Sequence, residues 1–383
     1  MNPRVLFILH LPPPVHGAAM VGKCIHDSEL VNRSFDCRYI NLTTAASLED
    51  IGKVGFKKLV LFWRLLKNVR HTVKEFKPDL VYVTPNAKGG AFYKDFLVVQ
   101  MIKSMGCKVL AHYHNKGVKH FSKSKLNDWL YRMFYKNLNV LLLGEVLYED
   151  VAKYVPLERA CFCGNGLPEL TEEENRKVLE NHRRKKDDLK SRSLNILYLS
   201  NMMAEKGAWI LVDACKVLKD KGIDFRCAFV GGWKDITEDA FHQKILQLDL
   251  EAEMNAVGPK YDAEKEPYWM DADIFVFPTY YHNECFPLVL LEAMQHALPC
   301  ISTKEGAIPN IIDDGETGFI VNANSPVELA SKIVALAVDK PRRLDMGMSG
   351  YRKFQNQYTL NVFEKRMCEV LDKFVKGNNG QLC

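Results

Sequence analysis

The stretch "NECFPLVLLEAMQHALP" (283–299) places two carboxylates, Glu284 and Glu292, eight positions apart across a helix start. Pro287 suits the first helical position, where its missing N–H costs nothing. The backbone amides of Phe286, Leu288 and Val289 then face the positive end of a helix, a place for a phosphate or a sugar oxygen. Glu284 reads as a loop carboxylate that accepts bonds from hydroxyls. Glu292 stands inside the apolar run "LVLLEAM", and a carboxylate there needs a partner. A ribose diol, with two O–H groups, is one. One acid for a ribose, one for a transferred sugar and a helix end for phosphates together fit a nucleotide sugar.

Three further sets fall where strands should end. In "HLPPPVHGAA" the small residues Gly17 and Ala18 open a helix, which lets a ligand approach backbone N–H groups. Taken alone, that stretch is equally well a proline-rich turn. In "LSNMMAEKGAWILVDA" Lys206 precedes a helix and can neutralise a phosphate as a compact charge; alone, it is an exposed lysine at a helix start. In "HYHN" the side chains of His112 and His114 are expected to point to opposite faces, so that they do not share a metal. His114 is expected at a substrate and His112 in the core. Asp271-Ala-Asp273 matches a D-x-D metal motif superficially, but it precedes the strand "IFVFP" and is expected to be structural. No metal is expected.

Short apolar runs alternate with amphipathic stretches through most of the chain. Strands are expected at 4–10, in "CRYINL", at 79–84, 107–114 and 139–144, with helices near 17–30, 54–75 and 89–104. A second set is expected at 194–200, 225–231, 253–258, 273–279, 299–303 and 318–321. Continuous apolar strands separated by helices predict parallel sheets covered on both faces. The polar stretch 171–193 reads as a solvated linker helix. The fold class is therefore α/β, with two doubly wound Rossmann-like domains facing across a cleft, and ligands beyond the carboxyl ends of the strands.

The composition, 47% hydrophobic and 26% charged over 383 residues, is that of an ordinary globular protein. The 11 cysteines show no disulfide framework, which fits a reducing compartment. The N-terminal apolar run is too short for a signal peptide, and nothing approaches a membrane span. A cytoplasmic location, at the inner face of a membrane, is expected. Residues 1–192 hold 32 Lys and Arg against 20 Asp and Glu, whereas the remainder holds 20 against 27. The basic cluster at 182–186 has no interleaved aromatics, so no nucleic acid is expected. The stretch 53–77 is different, with eight Lys and Arg among Phe56, Leu59, Phe62, Trp63 and Leu66. With the loop "KGVKHFSKSK" (116–125), it predicts an anionic membrane surface as a partner.

Taken together, these stretches resemble retaining glycosyltransferases of family 4, whose signature is E-x7-E. The resemblance rests also on "GNGL" (164–167), "NMMAEKG", "GAIPNIIDDGETGFIV" (306–321) and "HG" (16–17), and covers nearly the whole chain. It implies the GT-B fold. Residues 1–170, with a C-terminal helix at about 360–383, would bind the acceptor; 171–193 would link; 194–359 would bind the donor. It also implies transfer of a hexosyl or N-acetylhexosaminyl group, with retention, from a UDP or GDP sugar. The acceptor would be a saccharide in polysaccharide or glycolipid assembly, lipid-linked if the basic helix does meet a membrane. No cofactor is implied, and members bind the diphosphate without metal. Carried over residue by residue, the resemblance makes Glu284 and His114 catalytic. It makes Gly17, Asn201, Lys206, Gly231, Val257, Cys285, Phe286, Pro287, Leu288 and Glu292 substrate-binding. Asn201 departs from the pattern, since many members carry Arg there. A UDP-sugar 2-epimerase of the same fold and a non-catalytic two-domain binding protein are the alternatives. C2 epimer formation would mark the first, and binding without turnover the second.

Overall fold

Strands buried on both faces need apolar residues without alternation, and the computed structural model of the chain forms two sets of strands with such strands in their interiors, Leu80–Val83 and Val109–His112 in one and Ile274–Phe277 and Cys300–Thr303 in the other. It describes residues 2–13, 17–42, 56–187 and 193–377; His16, Lys53, the side chain of Phe56 and the stretch 188–192 lie outside the described residues. The first set is β1 (Arg4–Leu9), β2 (Asp36–Asn41), β3 (Leu80–Val83), β4 (Val109–His112), β5 (Asn139–Leu142) and β6 (Ala160–Phe162). The second is β7 (Leu194–Leu199), β8 (Phe225–Val230), β9 (Met254–Ala256), β10 (Ile274–Phe277), β11 (Cys300–Thr303) and β12 (Gly318–Val321). Each set is one parallel sheet, in the orders β2-β1-β3-β4-β5-β6 and β12-β11-β10-β7-β8-β9.

The sheets define two units, Met1–Gly166 with Leu360–Cys383, and Leu167–Thr359. In the first, β1 contributes Val5, Phe7 and Leu9 to an apolar core. The helix Leu360–Lys376 adds Phe363, Met367, Val370, Leu371 and Phe374 to it, a spacing that forms one face at 3.6 residues per turn. β6 was not anticipated. It spans three residues, Ala160–Phe162, and the side chains of Cys161 and the following Cys163 lie in the same core.

The stretch expected to be a solvated linker is a helix, Glu172–Asp187, docked on the second unit. Thr171 and Glu174 form a reciprocal cap at its start, at 2.9 and 3.3 Å. Asn181 donates to the carbonyl of Met270 at 2.7 Å, and Tyr351 donates to Asn175 at 2.7 Å. Lys185, in the basic cluster expected to be solvated, is buried and donates to the carbonyl of Ala272. Asp273 caps the start of β7 by accepting from the Asn195 amide at 3.0 Å, the structural role expected for it.

Candidate functional site

Every expected site residue in the second unit follows the carboxyl end of a strand. The loop after β7 carries Asn201 and Lys206 and closes at Gly207. Gly207 has φ +85°, and a Cβ there would meet the Pro278 carbonyl oxygen at 2.2 Å. Only glycine fits so close an approach in that conformation. The contact draws the loop onto the end of β10, where the Glu205 carbonyl accepts from the Tyr280 amide at 2.8 Å. Lys206 Nζ thereby reaches Glu284 Oε2 at 2.5 Å, with side-chain exposures of 17% and 10%. Its ammonium also sits 4.8 Å over the ring of Tyr281 and 5.5 Å over that of Phe277. Charges this far from water must be paired, and the pair unites the residues assigned to a phosphate and to a sugar. Tyr281 was not anticipated.

Glu284 and Cys285 are held from behind by the "EGAIP" turn. Gly306 has φ +56°, and a Cβ there would lie 2.5 and 2.6 Å from the carbonyl oxygens of Glu284 and Cys285. The Cys285 carbonyl accepts from the Ala307 amide at 2.7 Å. Phe286 is buried edge-on against Tyr358, with ring centroids 6.0 Å apart. The helix runs Leu288–Gln295, so Pro287 is its cap residue and not its first helical residue. Its ψ of 109° is extended, which moves the helix start one position on from the expectation. Leu288 is half-buried at that start.

Glu292 has a partner that the sequence did not reveal. Lys265 Nζ lies 2.7 Å from its Oε2, both side chains about three-quarters buried. The segment that brings Lys265 is anchored beside it. Glu266 meets His296 Nε2 at 3.0 Å, and Trp269 stacks on the His296 ring at 5.5 Å. The only available signal was that a carboxylate in an apolar run requires some partner.

Gly231 follows β8, where a Cβ would lie 1.8 Å from the Ser200 carbonyl oxygen, and its amide donates to the Gly258 carbonyl at 2.9 Å. Asn201 is exposed beside Gly232. Val257 is half-buried after β9, and its amide donates to the Phe229 carbonyl at 3.0 Å.

In the first unit, Gly17 begins the helix Gly17–Asp27, and a Cβ on it would meet open space. The close approach comes at Gly22 instead, where a Cβ would lie 2.0 Å from the His10 carbonyl oxygen. The expectation that His112 and His114 face opposite ways is wrong. Residues two apart along a strand share a face, and their ring centroids are 4.2 Å apart. His112 is fully buried, with Nδ1 hydrogen-bonded to the Tyr82 hydroxyl. Burial, and then the neighbouring His114, hold its pKa well below the usual histidine value. His114 is half-buried at the end of β4. Among the described residues, no three His, Cys, Asp or Glu side chains converge as a metal site would require.

Two sheets of this order are the architecture of a known class. The crystal structure of Anabaena Alr3699/HepE in complex with UDP aligns over 97% of this chain and 100% of its own, with a TM-score of 0.71 and 17% identity. The apo lipopolysaccharide outer core galactosyltransferase WaaB aligns over 98% and 99%, with a TM-score of 0.72 and 13% identity. The chain thus has the GT-B fold. Within it, residues 180–353 match the model of the family Glycosyl transferases group 1. The capsular polysaccharide biosynthesis glycosyltransferase CapM of Staphylococcus aureus is 28% identical over 185 residues, 48% of this chain and 47% of CapM. A D-inositol 3-phosphate glycosyltransferase of Corynebacterium aurimucosum is 29% identical over 156 residues, 40% of this chain and 37% of that protein. The chain spans about half the length, or less, of these curated relatives.

Proposed function

We propose that the chain is a glycosyltransferase of polysaccharide assembly, of the retaining E-x7-E type of family 4. It moves a sugar from a nucleoside diphosphate donor to a saccharide hydroxyl. The observation that carries this reading is the Lys206–Glu284 pair, 2.5 Å apart and mostly buried at the ends of β7 and β10. A cation for a diphosphate and an acceptor for sugar hydroxyls stand in contact there. Glu292 beyond them is the carboxylate for the ribose diol. The alignment with Alr3699/HepE, whose crystal structures hold UDP and UDP-glucose, supports a UDP sugar over a GDP sugar.

On this reading Lys206 stabilises the leaving diphosphate, and Asn201, exposed where an Arg is usual, contributes hydrogen bonds only. The departing phosphate takes the acceptor's proton on the face it leaves, which gives retention without a protein nucleophile. The protein supplies position and charge stabilisation. His114 is catalytic on this reading, and the first unit takes the acceptor. Turnover needs no metal. The acceptor is lipid-linked and the enzyme works at the inner face of a membrane, a reading supported by the basic helix Phe56–Phe76.

Incubation with UDP and GDP sugars and saccharide acceptors tests the proposal. Release of nucleotide, with a product of the donor's anomeric configuration and undiminished by chelator, is expected. Formation of a C2 epimer, or binding with no turnover on any acceptor, overturns it.

A further inference from the structure

Two neighbouring helices of the first unit carry apolar side chains where a surface helix should be polar. The helix Gly89–Ser104 buries Phe92, Val98, Val99 and Ile102. Its outward positions hold Tyr93 and Leu97, which remain 44% and 49% exposed. A helix on the surface ordinarily turns charged residues outward. The helix Lys125–Tyr135 buries Tyr131, Phe134 and Tyr135, yet leaves Leu126, Trp129 and Met133 exposed, the first two by 60% and 56%. These three positions follow an i, i+3, i+7 spacing and form one stripe.

Hydrogen bonds hold the two stripes side by side. The Tyr93 hydroxyl donates to Asn127 Oδ1 at 2.9 Å. Further along, Gln100 Nε2 and Lys103 Nζ donate to the Met133 carbonyl at 3.1 and 3.0 Å. The helices therefore run parallel and in step, and the stripes merge into one apolar ridge. Isolated exposed apolar residues need no explanation, but a contiguous patch does.

The charges around the ridge identify what covers it. Lys123 and Lys125 stand exposed at one end of the second helix and Lys136 at the other. The first unit as a whole holds 28 Lys and Arg against 16 Asp and Glu. An aromatic and aliphatic ridge with a lysine rim fits a bilayer whose headgroups are negative. We propose that Tyr93, Leu97, Leu126, Trp129 and Met133 enter the interface of an anionic phospholipid bilayer, with Lys123, Lys125 and Lys136 against the headgroups. This rests on the membrane reading above, and it moves insertion from the basic helix Phe56–Phe76 to the ridge. That helix exposes Trp63 beside Lys67, Arg70 and Lys74, and its part is to add charge.

The test is sedimentation of the full chain with vesicles of phosphatidylcholine alone or mixed with phosphatidylglycerol. Wild type is expected to bind the mixed vesicles. Leu126→Ser with Trp129→Ser should weaken binding at least about tenfold, with unchanged thermal unfolding. Lys123→Glu with Lys125→Glu should remove the preference for the mixed vesicles and the sensitivity to salt. Brominated lipid should quench wild-type tryptophan fluorescence and quench Trp129→Phe less. If the ridge variant binds like wild type while Trp63→Ser releases the chain, the ridge proposal falls and the membrane reading stands. If wild type binds neither vesicle, both fall. If wild type is a dimer that the ridge variant dissociates, the ridge is an interface between two copies, and the proposal is overturned.

Discussion

Glu284 and Glu292 each hold a lysine, but the two lysines have different sources and different consequences. Lys206 comes from the loop that the proposed function assigns to the diphosphate, and on that proposal its pair with Glu284 stands at the reacting end of a donor. Lys265 comes from the segment before Trp269 and fills the place given to the ribose at Glu292. Glu292→Gln should raise the donor KM and weaken binding of the free nucleoside diphosphate, because ribose contacts do not change as the sugar leaves. Glu284→Gln should lower kcat by about ten- to a hundred-fold, the worth of one charge-assisted hydrogen bond of about 1.5–3 kcal/mol. Nucleoside diphosphate affinity should not fall in that variant, because Lys206 is then freed for phosphate. Titration calorimetry separates the cases, and the opposite pattern would reverse the two assignments. A second prediction concerns the buried His112. Its folded pKa lies well below the unfolded value of about 6.5, so the folded state binds fewer protons than the unfolded state in mildly acidic solution. The stability this gives is complete above about pH 6.5 and is lost as the pH falls below it, by at most about 1.4 kcal/mol per pH unit. Urea titrations at pH 7.5 and 5.5 should show a smaller loss in His112→Gln than in wild type.

At the scale of elements, the strands were legible because burial on both faces writes itself as an uninterrupted apolar run. All six strands of the second sheet fall within the runs that predicted them, Leu194–Leu199 through Gly318–Val321. β6 (Ala160–Phe162) lies outside every run that was expected to be a strand. Pro287 marked the right loop but the wrong position, since proline also serves as a cap. What stayed hidden is contact between distant segments. The site depends on Gly207 pressing on Pro278 and on Gly306 pressing on Glu284 and Cys285, and no periodicity reports such pairs. Gly207→Ala is the sharper test. It adds a Cβ 2.2 Å from a backbone carbonyl oxygen at φ +85°, so the loop must move. Strain and displacement together should cost about 1–3 kcal/mol. The shift should also separate Lys206 from Glu284 and lower turnover more than the loss of stability explains. Melting temperature and kcat measured together decide this, and a variant with unchanged kcat would sever the glycine from the site.

For the whole molecule, the chain returns at its end to the unit where it began. Composition could not show this; it followed only from the resemblance, because an amphipathic helix does not say which core it completes. The structure answers with particular residues. Phe363, Met367, Val370, Leu371 and Phe374 are buried with Val5, Phe7 and Leu9 of β1, while Leu167–Thr359 form the other unit. Each such side chain contributes about 1.5–3 kcal/mol when fully buried, so five rival the about 5–15 kcal/mol that holds a typical domain folded. A chain ending at Thr359 should therefore lose the first unit and keep the second. In thermal unfolding, the truncated chain should show one transition in place of the full signal, and a nucleoside diphosphate should still raise it through binding to the folded state. Adding the Leu360–Lys376 segment as a separate peptide should restore part of the missing signal. If the truncated chain unfolds with undiminished amplitude, the terminal helix is dispensable to that core. If it loses its response to nucleotide as well, the donor site depends on the first unit more than a site built from the ends of β7 to β10 should.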